Sequence, residues 1–322
     1  MKKITLLIFL FVTALLCGCQ AKMNLFPDGT DPLLEQTLQG EGPNKVLLIS
    51  VDGTISDEPK RGLFGYAPSL VQEVVSRLKL AEKDDDIKGL VIKVNSPGGG
   101  VTASDVLYNE VVRFKEKTGA KVVVSMMDVA ASGGYYISLP ADRIMAHPTT
   151  LTGSVGVIFI RPKIDGLMDK IGVSVEVSKS GRNKDMGFPF KPDTEEQKQI
   201  IDAIIKDYAD RFQALVKKNR SISEDHLKTV FTAQVFSAEG AKKIGLIDGT
   251  GYLPDAVQEV CRLAGIPENS KVISYKRKSY PNDTMYNSLS AHASAPALIN
   301  IDAGNLLPPK AGFHYLWLPA AE

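Results

Sequence analysis

The residues best suited to chemistry are a serine among small neighbours, Ala130-Ala131-Ser132-Gly133-Gly134-Tyr135-Tyr136, directly after the apolar run Lys121–Met127. A strand that breaks through small residues into a helix presents the serine hydroxyl where unpaired backbone N–H groups point outward. That placement suits a nucleophile. Gly133 has no side chain over its N–H, so an acyl oxygen could approach and its developing negative charge could be stabilised there. A second donor could come from Asn95-Ser96-Pro97-Gly98-Gly99-Gly100, a glycine-rich turn after the apolar run Gly89–Val94. The plainer alternative is that Ala-Ser-Gly-Gly only lets a helix pack closely on a sheet.

A serine also needs a base. Of four histidines, His292 and His314 lie in the C-terminal tail and His226 on a polar helix, which leaves His147 after Arg143-Ile144-Met145-Ala146. The rival is Lys184, in Ser180–Phe190. A lysine serves as base only when neutral, which asks for a pKa near 7–8 in place of about 10.4. Met186, Phe188 and Phe190 could help supply apolar surroundings. Residue types alone leave both bases open.

The elements that must hold these residues alternate between strand and helix. Val46–Val51, Leu90–Val94 and Val122–Met126 are short apolar runs, whereas Leu70–Leu80 and Val101–Phe114 have helical spacing. This alternation predicts a layered α/β fold with largely parallel strands. Strands are also expected at Arg143–Ala146, Val173–Val177 and Lys271–Tyr275. A long helix is expected over Thr194–Val216, capped by Asp193 or Thr194, with shorter helices at Glu224–Phe231, Ser237–Ile244 and Pro254–Leu263. After Pro281 the pattern dissolves, apart from Tyr315–Leu318, so residues 277–322 read as a tail or arm.

Taken together, Asn95–Gly100 (NSPGGG), Ala131–Tyr136 (ASGGYY), Thr150–Val157 (TLTGSVGV), Lys179–Met186 (KSGRNKDM) and Ala241–Asp248 (AKKIGLID) resemble the signal peptide peptidase A family, also called protease IV. They occur in the family's order between Lys45 and Tyr275, in the manner of its short, single-domain form. The resemblance implies an α/β fold related to Clp protease and crotonase, with a smaller helical subdomain and a peptidase domain over 45–276. It implies Ser132 as nucleophile, Lys184 as general base, the amides of Gly99 and Gly133 as oxyanion hole, and Ser154 as the hydroxyl that orients the lysine. His147 stands where Clp protease places its own base. The family further implies peptide substrates, no cofactor, and a homo-oligomeric ring, here expected to be an octamer, with the dyad completed between neighbours. Two other classes share features with this reading: a crotonase-like acyl-CoA enzyme and a catalytically silent lipoprotein scaffold.

The N-terminus predicts export. Met1-Lys2-Lys3 is positive, Ile4–Leu16 is apolar, and Leu16-Cys17-Gly18-Cys19 closes the run with small residues. The run falls short of the about 20 residues that span a bilayer. The ending resembles a bacterial lipobox, although Cys17 departs from its usual small or β-branched residue. The expected organisation is a lipoprotein signal at 1–18, a lipidated Cys19 binding the membrane, and a tether over 19–44 with Pro27, Pro32 and Pro43. The catalytic body would then lie in the cell envelope, outside the cytoplasm. Of three cysteines only Cys261 then remains, read as a small apolar residue on a buried helix face. No Cys/His spacing predicts a metal site. With 38 basic against 37 acidic residues and no basic block, nucleic acid is not an expected partner.

Overall fold

In the computed structural model, residues 31–62, 65–277, 284–286 and 311–320 are described. The expected signal segment and Cys19 lie outside them. Among the described residues no helix is long and apolar enough to cross a membrane.

The strands are β1 (Leu34–Gln39), β2 (Lys45–Asp52), β3 (Lys60–Gly62), β4 (Gly65–Ala67), β5 (Ile87–Ser96), β6 (Gly98–Gly100), β7 (Lys121–Ala131), β8 (Arg143–Ala146), β9 (Leu151–Gly153), β10 (Ile158–Ile160), β11 (Val235–Ser237), β12 (Gly249–Thr250), β13 (Lys271–Lys276) and β14 (Gly312–Leu316). The helices are α1 (Leu70–Ala81), α2 (Val101–Thr118), α3 (Gly133–Tyr136), α4 (Asp165–Ile171), α5 (Glu195–Asn219), α6 (Glu224–Val230), α7 (Ala238–Lys243) and α8 (Leu253–Ala264). The main sheet runs β1-β13-β2-β5-β7-β8-β12, with β9 joined to β7 and β11 to β9. Every pairing from β13 through β12 is parallel, and β1 closes one edge antiparallel to β13.

Parallel strands covered by helices on both faces read as unbroken apolar runs, because neither face meets water. In β2, Leu47, Ile49 and Val51 join the larger core with α1, α2 and α5, while Val46 and Leu48 face α8 through Val257 and Val260. Cys261 is free and buried in that second core, as expected. The caps are local. Ser69 Oγ accepts from Gln72 N at the start of α1, and Thr194 and Gln197 form a reciprocal capping box at α5.

Three stretches differ from their sequence reading. β1 lies within 19–44, the stretch expected to be a tether: its six residues sit between Pro32 and Gly40, free of proline, and find a partner in β13. Val173–Val177 has strand composition but makes no strand pairing among the described residues, and Val173, Val175 and Val177 are exposed. In the tail, Gly312–Leu316 forms β14, which lies between β10 and β6 in a second, three-stranded sheet.

Candidate active site

Ser132 follows β7 and stands at the N-cap position of α3, with φ 53° and ψ −113°. A non-glycine residue in that region is strained, and such turns persist only where the surroundings hold them. Here the hold is explicit: Ser132 N–H donates to Gly153 O (2.8 Å) and Ser132 O accepts from Tyr136 N–H (2.8 Å). The expected helix after the serine is a single turn. Gly134 allows it to approach β5, since a Cβ there would stand 2.6 Å from Ser96 O. Gly133 and Gly134 are both buried, so close packing of the turn on the sheet is what they provide here.

The second glycine turn reaches the same point. Ser96 Oγ accepts from Gly98 N–H (3.1 Å), while Gly98 O and Gly100 N–H bond the backbone of Ile55 (2.8 and 3.0 Å). Gly98 has φ +102°, and a Cβ on it would lie 2.6 Å from Gly133 N. The two turns are thus in backbone contact. Gly99 is equally confined, with Ile55 O 2.0 Å from any added Cβ.

Ser154 follows Gly153, the residue that accepts from Ser132 N–H, and it too has a positive φ of 53°. Ser132, Ser154, Gly99 and Gly133 are therefore gathered at the ends of β5, β7 and β9. Lys184 is not. It is exposed in the turn that follows the unpaired valines, and no hydrogen bond among the described residues joins its ammonium to Ser132 or Ser154. Its neighbour Asp185 anchors that turn: the Lys179 ammonium, then that of Lys191, holds its carboxyl well below the usual carboxylate range. His147 is also engaged elsewhere, with Nδ1 2.8 Å from Thr149 Oγ1 and its ring edge-on to Tyr252 at 5.0 Å.

One component was only glimpsed in the sequence. β14 pairs antiparallel with β6, Tyr315 facing Gly99, and its other edge pairs with β10. Tyr315 is fully buried, stacked on Tyr136 (5.0 Å) and tilted against Phe212 (4.9 Å), and its hydroxyl donates to Tyr208 O (2.8 Å). Burial pushes both Tyr136 and Tyr315 above the ordinary tyrosine range. The signal was Tyr315–Leu318 itself, an apolar island in a polar tail.

Comparison with known proteins identifies the family. The model of peptidase family S49 matches residues 114–267, and that of Clp protease matches residues 67–155. An Enterococcus faecium protein named signal peptide peptidase SppA is 34% identical over 257 residues, 80% of this chain and 73% of that one. The chain belongs to peptidase family S49. A Methanocaldococcus jannaschii protein named as a protease is 33% identical over 254 residues, covering 77% of this chain and 81% of the relative. Protease 4 of Haemophilus influenzae is 30% identical over 275 residues, 83% of this S49 chain but 43% of the relative. Family and fold agree: the largely parallel sheet with helices on both faces is the Clp-protease-like α/β architecture expected for this serine peptidase.

Proposed function

We propose that this S49 chain is an envelope serine endopeptidase in which Ser132 is the nucleophile and Lys184 of a neighbouring copy is the general base. The observation that carries this reading is the strained Ser132 turn against two glycine backbones, with its candidate lysine exposed on a separate arm of the same chain. Ser132 Oγ adds to a peptide carbonyl as its proton passes to the lysine amine. The carbonyl oxygen is stabilised by the amides of Gly99 and Gly133. The proton then goes to the leaving amine, the C–N bond breaks, and water releases the acyl group by the reverse proton path. Ser154 orients the lysine.

The arm favours a partner copy. Leu167, Ile171, Val173 and Val175 are 60%, 64%, 48% and 47% exposed, and no residue of α4 is buried. Covering them with a second chain would bury apolar surface and desolvate Lys184, which favours the neutral amine. A closed ring, an octamer, satisfies every copy. Its substrates are extended apolar peptides, such as residual signal peptides or misfolded envelope proteins, and lipid on Cys19 holds the body beside them. Loss of lipid labelling in Cys19→Ala tests that anchor; unchanged labelling counts against it.

The deciding experiment is complementation. Ser132→Ala and Lys184→Ala proteins, each inactive alone, are unfolded, mixed and reassembled. Shared sites restore a fraction of wild-type activity, and mixed assemblies that stay inactive refute the shared dyad.

A further inference from the structure

Among the described residues the Lys184 side chain makes no hydrogen bond or ion pair, yet the residues on both sides of it are tied to the first turn of α5. Asn183 Nδ2 (3.0 Å) and Arg182 Nη2 (2.7 Å) reach Glu196 Oε1, and Asp185 Oδ1 accepts from Gln197 Nε2 (3.1 Å). The backbone between them is closed by Lys184 N–H donating to Gly181 O and Met186 N–H donating to Asn183 O, each at 3.0 Å. Asp185 binds more widely than its neighbours. Its carboxylate, 6% exposed, takes the Lys179 ammonium on both oxygens (2.9 and 2.8 Å) and the Lys191 ammonium on Oδ2 (2.6 Å). One of these lysines precedes the base turn and the other follows it, so a single carboxylate closes the turn from both ends.

The residue at position 197 fits the same role. In the capping box of α5, Gln197 Oε1 accepts from Thr194 N–H (3.2 Å), a task that a glutamate also performs. Only the amide has N–H groups as well, and at this fully buried position Nε2 directs one at Asp185. A glutamate would set a second carboxylate against the first. The charge balance matters too. A free carboxylate beside a lysine favours the ammonium form, which cannot act as a base. Here both Asp185 oxygens are occupied by other cations.

We propose that Asp185 is the positioning residue of the base: it fixes the turn on the end of α5 through Gln197, and by binding Lys179 and Lys191 it leaves the Lys184 amine free to reach the serine. The proposal rests on Lys184 being the general base.

The test uses the full chain, with kcat and KM on an apolar peptide and the rate at which a fluorophosphonate labels Ser132. Asp185→Asn keeps the size of the side chain and removes its charge. Both kcat and labelling should then fall at least about tenfold while KM stays within about twofold, the result of displacing a reacting group by about an ångström. Asp185→Glu, which restores the charge, should recover at least about threefold of that loss. A residue that acts only through Lys184 has nothing to act on once the amine is gone, so Asp185→Asn/Lys184→Met should label at the slow rate of Lys184→Met alone. A merely structural carboxylate would slow the double variant further. That result, or a kcat for Asp185→Asn within about twofold of wild type, overturns the proposal. Should Asp185→Asn fail to fold, Lys191→Met decides, since it removes one cation from the clamp and leaves Lys179 in place. A kcat lowered about threefold or more at unchanged KM supports the proposal, and an unchanged kcat refutes it. Failure of the base assignment looks different: Lys184→Met would then cleave as fast as wild type, and the clamp would have no base to position.

Discussion

At the scale of single residues, the site depends on backbone approaching backbone. Gly134→Ala puts a methyl 2.6 Å from Ser96 O, which only backbone movement can relieve. The expected cost is about 1–3 kcal/mol in urea unfolding, with turnover lost because Ser132 sits two residues away; unchanged stability and turnover would show that the turn has slack. The two bases part equally clearly. Lys184→Met should reduce peptide cleavage to the level of Ser132→Ala, whereas His147→Ala, which removes a ring bonded to Thr149, should lower kcat/KM less than about tenfold, under about 1.4 kcal/mol. A dead His147 variant beside an active Lys184 variant would reverse the assignment. The turns at Ser132, Gly99 and Gly133 were legible in the sequence because strand-to-helix turns leave local marks: an apolar run, then small residues. The choice of base left none. A lysine and a histidine in separate loops look alike until distances exist, and on the proposed reading the distance that matters for Lys184 is to a neighbouring copy.

Elements were legible where both faces of a strand are buried. Arg143–Ala146 has the bounds expected, and Leu90–Val94 and Val122–Met126 were found but extend further at each end, where polar and small residues continue the ladder beyond the apolar run. Val173–Val177 shows the opposite case, strand composition without a ladder among the described residues, because β-propensity reports fit to neighbours more than an intrinsic backbone preference. β8 and α8 are tied by Glu259, which accepts from Arg262 (2.8 Å) and Arg143 (3.1 Å); hydrogen bonding from Arg262 first, then Arg143, brings its carboxyl down from 4.5 to about 2. A carboxylate depressed by folding stabilises above its unfolded pKa and loses that contribution as pH falls through the folded value. Melting temperatures of wild type and Glu259→Gln should therefore differ most above about pH 4.5 and converge toward pH 2. A gap that stays constant through that range would exclude Glu259 as its source.

For the whole molecule, the arm with exposed Leu167, Ile171 and Val175 is the feature a lone chain leaves unexplained. Val175→Glu should leave the far-ultraviolet circular dichroism unchanged while reducing particle mass by light scattering and abolishing cleavage, since a carboxylate buried between copies has no partner. Unaltered particle mass would place the interface elsewhere. β14 carries a different whole-molecule consequence, one of order in time. Gly98–Gly100 and Ile158–Ile160 pair with Gly312–Leu316, far later in the chain. Such pairing costs loop-closure entropy before any contact repays it, so the second sheet is expected to close after the main sheet has formed.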